Sequence, residues 1–461
     1  MDHDTNSGLP WVKNPYRPFV GQEPQDASES QVAWDYIKER AEYLLSEYRA
    51  GRTVSLNAVS AKRLQQKADL EKIERLVIAI EKAQAVLGKT TSVNIYEALR
   101  QVRAPGGVPI FIAWSDTCAI DIACQMMLER ADGRKVLSTD FSAYDASLPS
   151  WLMEDVADII SSWLIDGEWV KQMVKSMTSC VTLVTPNKIW GPHVGSMKSG
   201  DPYTNLLDSL CNLVIQYYGQ ELGLYKVTNN MVQGDDGVLD GDGVSPEAFA
   251  KAAGDFGVEA NPAKQMFEPD VILYLQRLHL RGLPGGIGSV GRTLGSVLSY
   301  ERMNYNPEEW SGIADVLRAR AQLENCAFSP YFKQLVEFVA SGDKYNLGRD
   351  LTPDQIIAAA GRAGVDSVQQ YLSGFGALVV DRAAAVEQML SHSAVSGVLE
   401  GSDIGPFGSL DRFLYVYGRA RLDRAVPMDL KEYFKERFDA NFMDASAFRV
   451  TKTQGTSISA G

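Results

Sequence analysis

The sequence predicts an α+β fold, with antiparallel sheet at its centre, helices segregated to one side and a mainly helical last third. Three observations predict it. Apolar residues recur at strand and helix spacing in the order strand, helix, hairpin, helix, hairpin, helix between Lys135 and about residue 300. Beyond about Glu301 the helical period takes over. The 461 residues, 45% hydrophobic, are enough to bury a large core shared among several subdomains.

Taken in order, the first thirty residues are rich in Pro, Gly, Asn and Gln and read as an extended arm. Long side chains with Ala and Leu then take over from Ser30 to about Leu87. Within that stretch KADLEKIERLVIAIEKAQAVL has one apolar stripe and few breakers, and predicts a helix. RAPGGVP, from Arg103 to Pro109, predicts a turn and IFIAW a short strand. Lys135 to Asp140 reads as a buried strand, and Leu148 to Leu164 as a helix with Pro149 suited to its first turn. CVTLVTPN and KIWGPHV predict a hairpin ahead of the turn GSMKSG, and TNLLDSLCNLVIQYYG a helix.

Strand-like residues flank QGDD in VTNNMVQGDDGVLDGDG. SPEAFAKAAGDFG offers Ser245 as a helix start, although Glu247 stands one residue short of capping-box spacing. VILYLQRLHLRG is strand-like before a Gly-rich turn. SPYFKQLVEFVASG, TPDQIIAAAGRAG, DSVQQYLSG, DRAAAVEQMLS and MDLKEYFKERF then read as helices, Thr352-Pro353 being a good start. Gly401 to Gly408 marks a loop and TQGTSISAG a loose tail.

Composition excludes several functions. With 45 Lys plus Arg against 58 Asp plus Glu, the net charge is −13, unlike a coat or tail that holds nucleic acid by bulk charge. A local channel survives that sum: from Arg49 to Arg103 the balance is eleven basic residues against five acidic. Cysteines at 118, 124, 180, 211 and 326 form no CxxC or Cys/His spacing, which argues against zinc and for a reducing compartment. No run of 18 apolar residues and no secretory signal pattern is present, so the expected setting is intracellular, off the membrane.

Three sites carry chemistry. QGDDGV sets Asp235 and Asp236 at a turn between strands. Two-metal phosphoryl chemistry needs oxygen ligands around ions roughly 3.5–4 Å apart, and adjacent strand residues face opposite ways, so only a turn lets both acids approach one site. Taken alone, DD beside Gly is an ordinary surface turn, and Val238 spoils a calcium-loop reading. TDFSAYD ends a buried strand on Asp140, where an unpaired carboxylate is expensive and a cation a natural partner, with Asp145 entering the following turn. Ser199-Gly200 precedes Thr204, Asp208 and Asn212, four apart and so on one helix face. Gly200 lets backbone approach a ligand closely.

Asp140, Ser199-Gly200-Thr204, Asp235-Asp236 and Lys264 in NPAKQ, in that order and spacing, resemble the palm motifs of viral RNA-dependent RNA polymerases. WLMEDVADII and SGDPYTNLLDSLCN resemble partitivirus polymerases. QGDDG, NPAKQ and YLQRLH followed by GRTLGSVLSYE resemble those of picobirnaviruses. The likeness runs from about Arg100 to Glu301.

The resemblance implies a right-hand polymerase fold. Residues 1–134 would form the arm and fingers, 135–150 and 191–300 the palm, 151–190 a fingers insertion, and 301–461 the helical thumb and tail. It implies RNA-templated RNA synthesis from NTPs, copying and transcribing a double-stranded RNA genome. Two Mg2+ ions, replaceable by Mn2+, would sit on Asp140, Asp235 and the auxiliary Asp236, with Lys264 protonating or positioning pyrophosphate. Asp145, Thr204 and Asp208 match positions that inspect the ribose. Asp208 stands where many relatives have Asn, so two carboxylates beside one sugar call for a proton or a basic partner. Arg100 and Arg103 resemble residues of the incoming-nucleotide path, which Lys89 or Lys135 would share. Ser199 and Gly200 would contact template and nucleotide, and Lys198 a backbone phosphate. Arg292 suits product-strand phosphate or a pair with Glu301, and the sequence leaves both open. Asn212 reads as structural, and His193 and Trp190 as packing residues. The implied partners are template and product RNA, NTPs and a viral capsid protein, for a monomer inside the particle or in host cytoplasm. A reverse transcriptase and an idle RNA-binding protein of the same fold are the alternatives.

Overall fold

The computed structural model describes residues 31–66, 72–298 except 116, 186 and 284, 312–352 except 330, residues 354, 355 and 358, and 393–399. The expected N-terminal arm, the tail, the 401–408 loop and the helices DSVQQYLSG, DRAAAVEQMLS and MDLKEYFKERF lie outside them. Contacts divide the chain into two units, residues 1–114 with 134–268, and residues 115–133 with 269–461.

The first unit opens with α1 (Gln31–Arg49), β1 (Leu56–Gln66), β2 (Lys72–Ile80) and α2 (Lys82–Leu99). This corrects the helix expected through residue 87, whose described part is strand up to Ile80 and helix only from Lys82. The reason is pairing. β2 runs antiparallel to β1 from Gln66↔Lys72 to Ala58↔Ile80. Val77, Ile78 and Ile80 are β-branched and suit a pleated surface, so tertiary pairing outweighs a helix preference of at most about 0.7 kcal/mol per residue. β1 also runs parallel to β4 (Val181–Val184), which forms the expected hairpin with β5 (Ile189–His193), giving the order β2-β1-β4-β5.

IFIAW is likewise corrected: Ile112–Trp114 is a 3-10 turn. Phe111 stacks on Trp114 at 4.6 Å, and an extended strand would turn residues three apart to opposite faces.

A second, antiparallel sheet has the order β6-β7-β3-β8, from β3 (Val136–Thr139), β6 (Lys226–Gln233), β7 (Asp236–Asp242) and β8 (Met266–Glu268). Around it lie α4 (Tyr144–Ser147), α5 (Ser150–Ser162), α6 (Glu168–Ser179), α7 (Thr204–Glu221) and α8 (Pro246–Gly254). α5 buries Leu152, Met153, Val156, Ala157 and Ile160, the three- and four-residue spacing of an amphipathic helix. Ser245 caps α8 by accepting from Ala248 N at 3.1 Å, so the cap works without a Glu three residues on. One core joins Leu44, Leu87, Met153, Val170, Leu206, Ile215 and Phe249. Some of the polar groups within it are tightly bonded: buried Glu81 takes both forks of Arg40 at 3.0 and 3.1 Å, and Gln84 Oε1 accepts from Tyr48 Oη at 2.9 Å.

The second unit holds α3 (Thr117–Ala131), the antiparallel strands β9 (Val271–Tyr274), β10 (Arg277–Leu280) and β11 (Ile287–Gly288), then α9 (Val290–Leu298), α10 (Gly312–Glu324) and α11 (Phe332–Gly342). The strand-like VILYLQRLHLRG is a tight hairpin, turned at Leu275 and Gln276, whose φ values are 50° and 60°. Buried Arg277 donates twice to Asp121 of α3, at 2.7 and 3.2 Å. Thr352 and Gln355 exchange the reciprocal bonds of a capping box at the expected helix start.

In β7, Gly237 stands opposite Thr139, and a Cβ there would lie 2.5 Å from Thr139 Oγ1 and 2.8 Å from Gln216 Nε2. Gly237→Ala should therefore destabilise the first unit by about 1–3 kcal/mol, the usual cost of overpacking. Calorimetry should show a lower melting temperature; an unchanged one would mean that the strands part freely.

Candidate active site

Strand register brings the acidic residues together. Thr139 pairs with Gly237, so Asp140, the next residue beyond β3, comes level with Asp236. Gln233 pairs with Asp236 and closes a two-residue turn of Gly234 and Asp235, with Gly234 at φ +59° as such hairpins require. The β3 residues are all buried, whereas Asp140 and Asp235 are exposed and Asp236 half-buried. The sheet thus ends in three carboxyl groups at the rim of its core. Burial pushes Asp236 up to about 7, with the charges of Asp235 and Asp140 adding to it. Asp140 is raised by burial, lowered by the Lys264 ammonium and raised by Asp235. Exposed Lys264 ends the 3-10 turn Pro262–Lys264, which Asn261 caps through Ala263 N, and β8 follows it to pair with β3.

Hard oxygen donors that repel one another suit a divalent cation, which would relieve the strain that raises Asp140 and Asp236. Among the described residues no three of His, Cys, Asp and Glu form an all-protein metal cage. Magnesium ordinarily takes one or two carboxylates and completes its shell with phosphate oxygens and water, so these acids fit it as a partial ligand set.

A second cluster adjoins the first. Thr204, Asp208 and Asn212 follow one another along α7. Asp208 is buried, its Oδ1 has no hydrogen-bond partner, and burial followed by the Asp145 and Asp235 charges drives its carboxyl well up. Burial, and then the neighbouring carboxylates, thus favour the neutral form of Asp208. Asp145 is exposed on α4, and its backbone oxygen accepts from Met197 N at 2.6 Å. Tyr144 Oη donates to Asp208 O at 2.9 Å, tying α4 to α7. Thr204 Oγ1 donates to Lys198 O at 2.6 Å.

The loop before α7 is pinned to β2. Ser199 N donates to Ile78 O at 2.9 Å and Ile80 N to Ser199 O at 3.5 Å. Gly200 follows at φ +91°, a conformation that favours glycine. Lys198, given to a phosphate in the sequence reading, is enclosed: its Nζ donates to Ser196 O at 3.0 Å and to Gly195 O, and burial pushes it down to about 8.

Arg100 binds Glu97 at 2.8 Å and Trp114 O, and shares a cleft of about 590 Å³ with Lys89, Tyr96, Gly200 and Asn205. Arg103 is exposed, bonded to Gly107 O at 3.0 Å, and does not line that cleft. Arg292 belongs to the second unit, exposed on α9.

The basic residues counted from Arg49 to Arg103 include Lys62, Arg63, Lys72 and Arg75, which lie on the paired strands β1 and β2, whose far end holds Ser199. Sequence reasoning passed over one feature. Ser209 and Gln216, with Asn212, bond the backbone and one another beneath the Asp235 turn. The four-residue step from Thr204 through Asp208 and Asn212 continues to Gln216, a signal available in the sequence.

Asp236 and Asp201 are both raised from 3.8 to about 7 by burial. The folded chain then holds more protons than the unfolded one between those values, so metal-free protein should lose stability as pH rises from about 4 to 7. Melting temperatures across this window should fall, and Asp236→Asn should flatten part of the slope. An unaltered slope would return Asp236 to the ordinary carboxyl range.

Residues 109–283 match the family model described as viral RNA-dependent RNA polymerase. A "Potential RNA-dependent RNA polymerase" of Human picobirnavirus is 27% identical over 275 residues, 56% of this chain and 50% of that protein. The genome polyprotein of Human parechovirus 5 is 31% identical over 149 residues, 32% of this chain and 7% of its own length. The chain thus spans about half of the first relative and a small part of the second. The crystal structure of a human picobirnavirus RNA-dependent RNA polymerase shares the fold, with TM-score 0.63 and 23% identity over 75% of this chain and 65% of that one. No described helix is long and apolar enough to cross a membrane. The α+β fold is that of the solved polymerase, and residues 109–283 are similar to the viral RNA-dependent RNA polymerases, with the picobirnavirus type among the chain's relatives.

Proposed function

We propose that this chain copies an RNA template into RNA from ribonucleoside triphosphates, replicating and transcribing a double-stranded RNA genome by two-metal nucleotidyl transfer. The observation that carries the reading is the register that sets Asp140 level with Asp236 beside the Asp235 turn, within reach of the Lys264 charge.

In this reading Asp140 and Asp235 hold two magnesium ions, or manganese in their place, with Asp236 as auxiliary. Bound there, the ions supply charge neutralisation of the triphosphate and a lower pKa at the primer 3′-OH. Lys264 Nζ stands to position pyrophosphate or give it a proton. Asp208, whose unpartnered Oδ1 is buried beside exposed Asp145, pairs with it as the polar set that reads the ribose hydroxyls. A sugar lacking its 2′-OH would leave that polar pair unsatisfied, the kind of mismatch that discriminates strongly. Arg100 and Lys89, along the cleft beside Gly200, offer charge to nucleotide or template phosphate, and exposed Arg103, outside that cleft, is assigned to the nucleotide path by the resemblance alone. Lys198 supports RNA contact by holding the Gly195–Ser199 loop closed, and Arg292 serves the product strand. In this reading residues 1–134 and 151–190 are arm and fingers, 135–150 and 191–300 the palm, and 301–461 the thumb and tail. The protein works as a monomer on RNA and NTPs, with capsid protein as its partner, inside the particle or in host cytoplasm.

Asp235→Ala should abolish magnesium-dependent RNA synthesis while leaving RNA binding within about twofold; persistent synthesis would remove the metal role, and preferential dNTP use by the parent on RNA would make it a reverse transcriptase. Asp208→Asn should shift the rNTP/dNTP ratio of kcat/KM by about tenfold or more if its carboxyl reads the sugar. An unchanged ratio would take it out of the sugar-sensing set.

A further inference from the structure

The tip of a two-residue hairpin is ordinarily held only by the pair that closes it. Here the turn is also gripped from below by α7. Asn212 is fully buried, and its Nδ2 donates to Gly234 O at 3.0 Å and lies 3.3 Å from Asp235 O and 3.4 Å from Asp236 O. Ser209 Oγ accepts from Gly234 N at 2.9 Å and donates to Asn205 O at 2.7 Å. Both backbone polar groups of Gly234 are therefore bound to one helix.

The orientation of the Asn212 amide is fixed in turn. Its Oδ1 accepts from Gln216 Nε2 at 3.2 Å, and Gln216 Oε1 accepts from Asn230 Nδ2 at 2.9 Å. Reversing either amide would set donor against donor, so the Asn212 NH2 group must point at the turn. Gly237 leaves room for this arrangement, since its missing Cβ would press on both Gln216 and Asn212. Asn230 Oδ1, at the far end of the chain of amides, has no partner, so the paired part of the network is the stretch from Ser209 through Asn212 to Gln216.

We propose that Ser209 and Asn212 are positioning residues, which hold the Asp235 carboxylate against Asp140 and Asp236 despite the repulsion among them and join the turn rigidly to the helix that carries Thr204 and Asp208. The proposal rests on the polymerase reading and adds to it: sugar inspection and metal holding share one solid element. Changing Ser209 or Asn212 leaves all three acids in place yet weakens metal capture, because capture depends on the carboxylates already being together.

Ser209→Ala deletes one oxygen and is the variant safest for folding, Ser209→Thr restores the hydroxyl, and Asn212→Asp replaces the donors with a carboxylate facing three carbonyl oxygens. In metal-free protein the Gly234 amide should exchange with deuterium about tenfold faster in Ser209→Ala, as expected for loss of one hydrogen bond, and near the parent rate in Ser209→Thr. The magnesium concentration for half-maximal single-turnover incorporation should rise about fivefold or more in Ser209→Ala and further in Asn212→Asp, with KM for NTP and RNA affinity within about twofold. Gly234 exchange or magnesium requirement within twofold of the parent in Ser209→Ala overturns the proposal. Exchange needs no turnover, so it reports on the clamp even if the parent makes no RNA, an outcome that would sink the polymerase reading alone.

Discussion

Like charges do not gather unaided, and the first unit is organised around making them do so. Asp140, Asp235 and Asp236 meet because an antiparallel register places the end of β3 beside the turn between β6 and β7. Carboxylates gathered at one sheet edge repel one another, and more strongly where burial lowers the effective dielectric. The opposing force is spread over the buried strands, the α7 core and the bonds from α7 to Gly234. Burial first, and the neighbouring carboxylates after it, raise the pKa values of Asp140 and Asp236.

The same economy governs the neighbouring polar residues. Asp208 and Asp201 are enclosed and drawn towards the neutral form, while Lys198 spends its ammonium on carbonyls of its own loop. Each loses solvent exposure, and each gives shape to the segment between Gly195 and Asp208. The loop is held from three directions, by Thr178 and Leu148 at Gly195 and Ser196, by Asp145 at Met197, and by β2 at Ser199. Order at the rim of the sheet is thus a property of several elements at once.

How legible this was in the sequence depends on the range of the interactions involved. Asp235 and Asp236 could be placed at one turn because strand, turn and strand around QGDD are local, and the α7 polar stripe follows from four-residue spacing, whereas Asp140 joined them only through the resemblance. The β2 strand could not be placed, because a run rich in Val and Ile fits helix or sheet until Ala58–Gln66 and Ser199 select the sheet. Lys198 was misjudged for a related reason. Nothing in GSMKSG says that the loop closes over its own lysine, since that closure depends on Leu148 and Asp145. Ser209 carried no signal, because a serine on a helix is commonplace until its hydroxyl meets a turn from elsewhere. The helical reading after Glu301 holds where residues are described, as in α10 and α11.

The parallel pairing of β1 with β4 sets an order on biosynthesis. Leu56 pairs with Val181, so the early strands leave the ribosome long before their neighbour is made. Through that interval β1 has β2 on one side and a bare row of amides and carbonyls on the other, the configuration most prone to recruit a strand from another chain. Nascent copies made close together on one messenger are therefore at risk of cross-pairing before residue 184 is out. Pairing across so many residues carries a loop-closure cost that local hairpins such as β6 with β7 avoid.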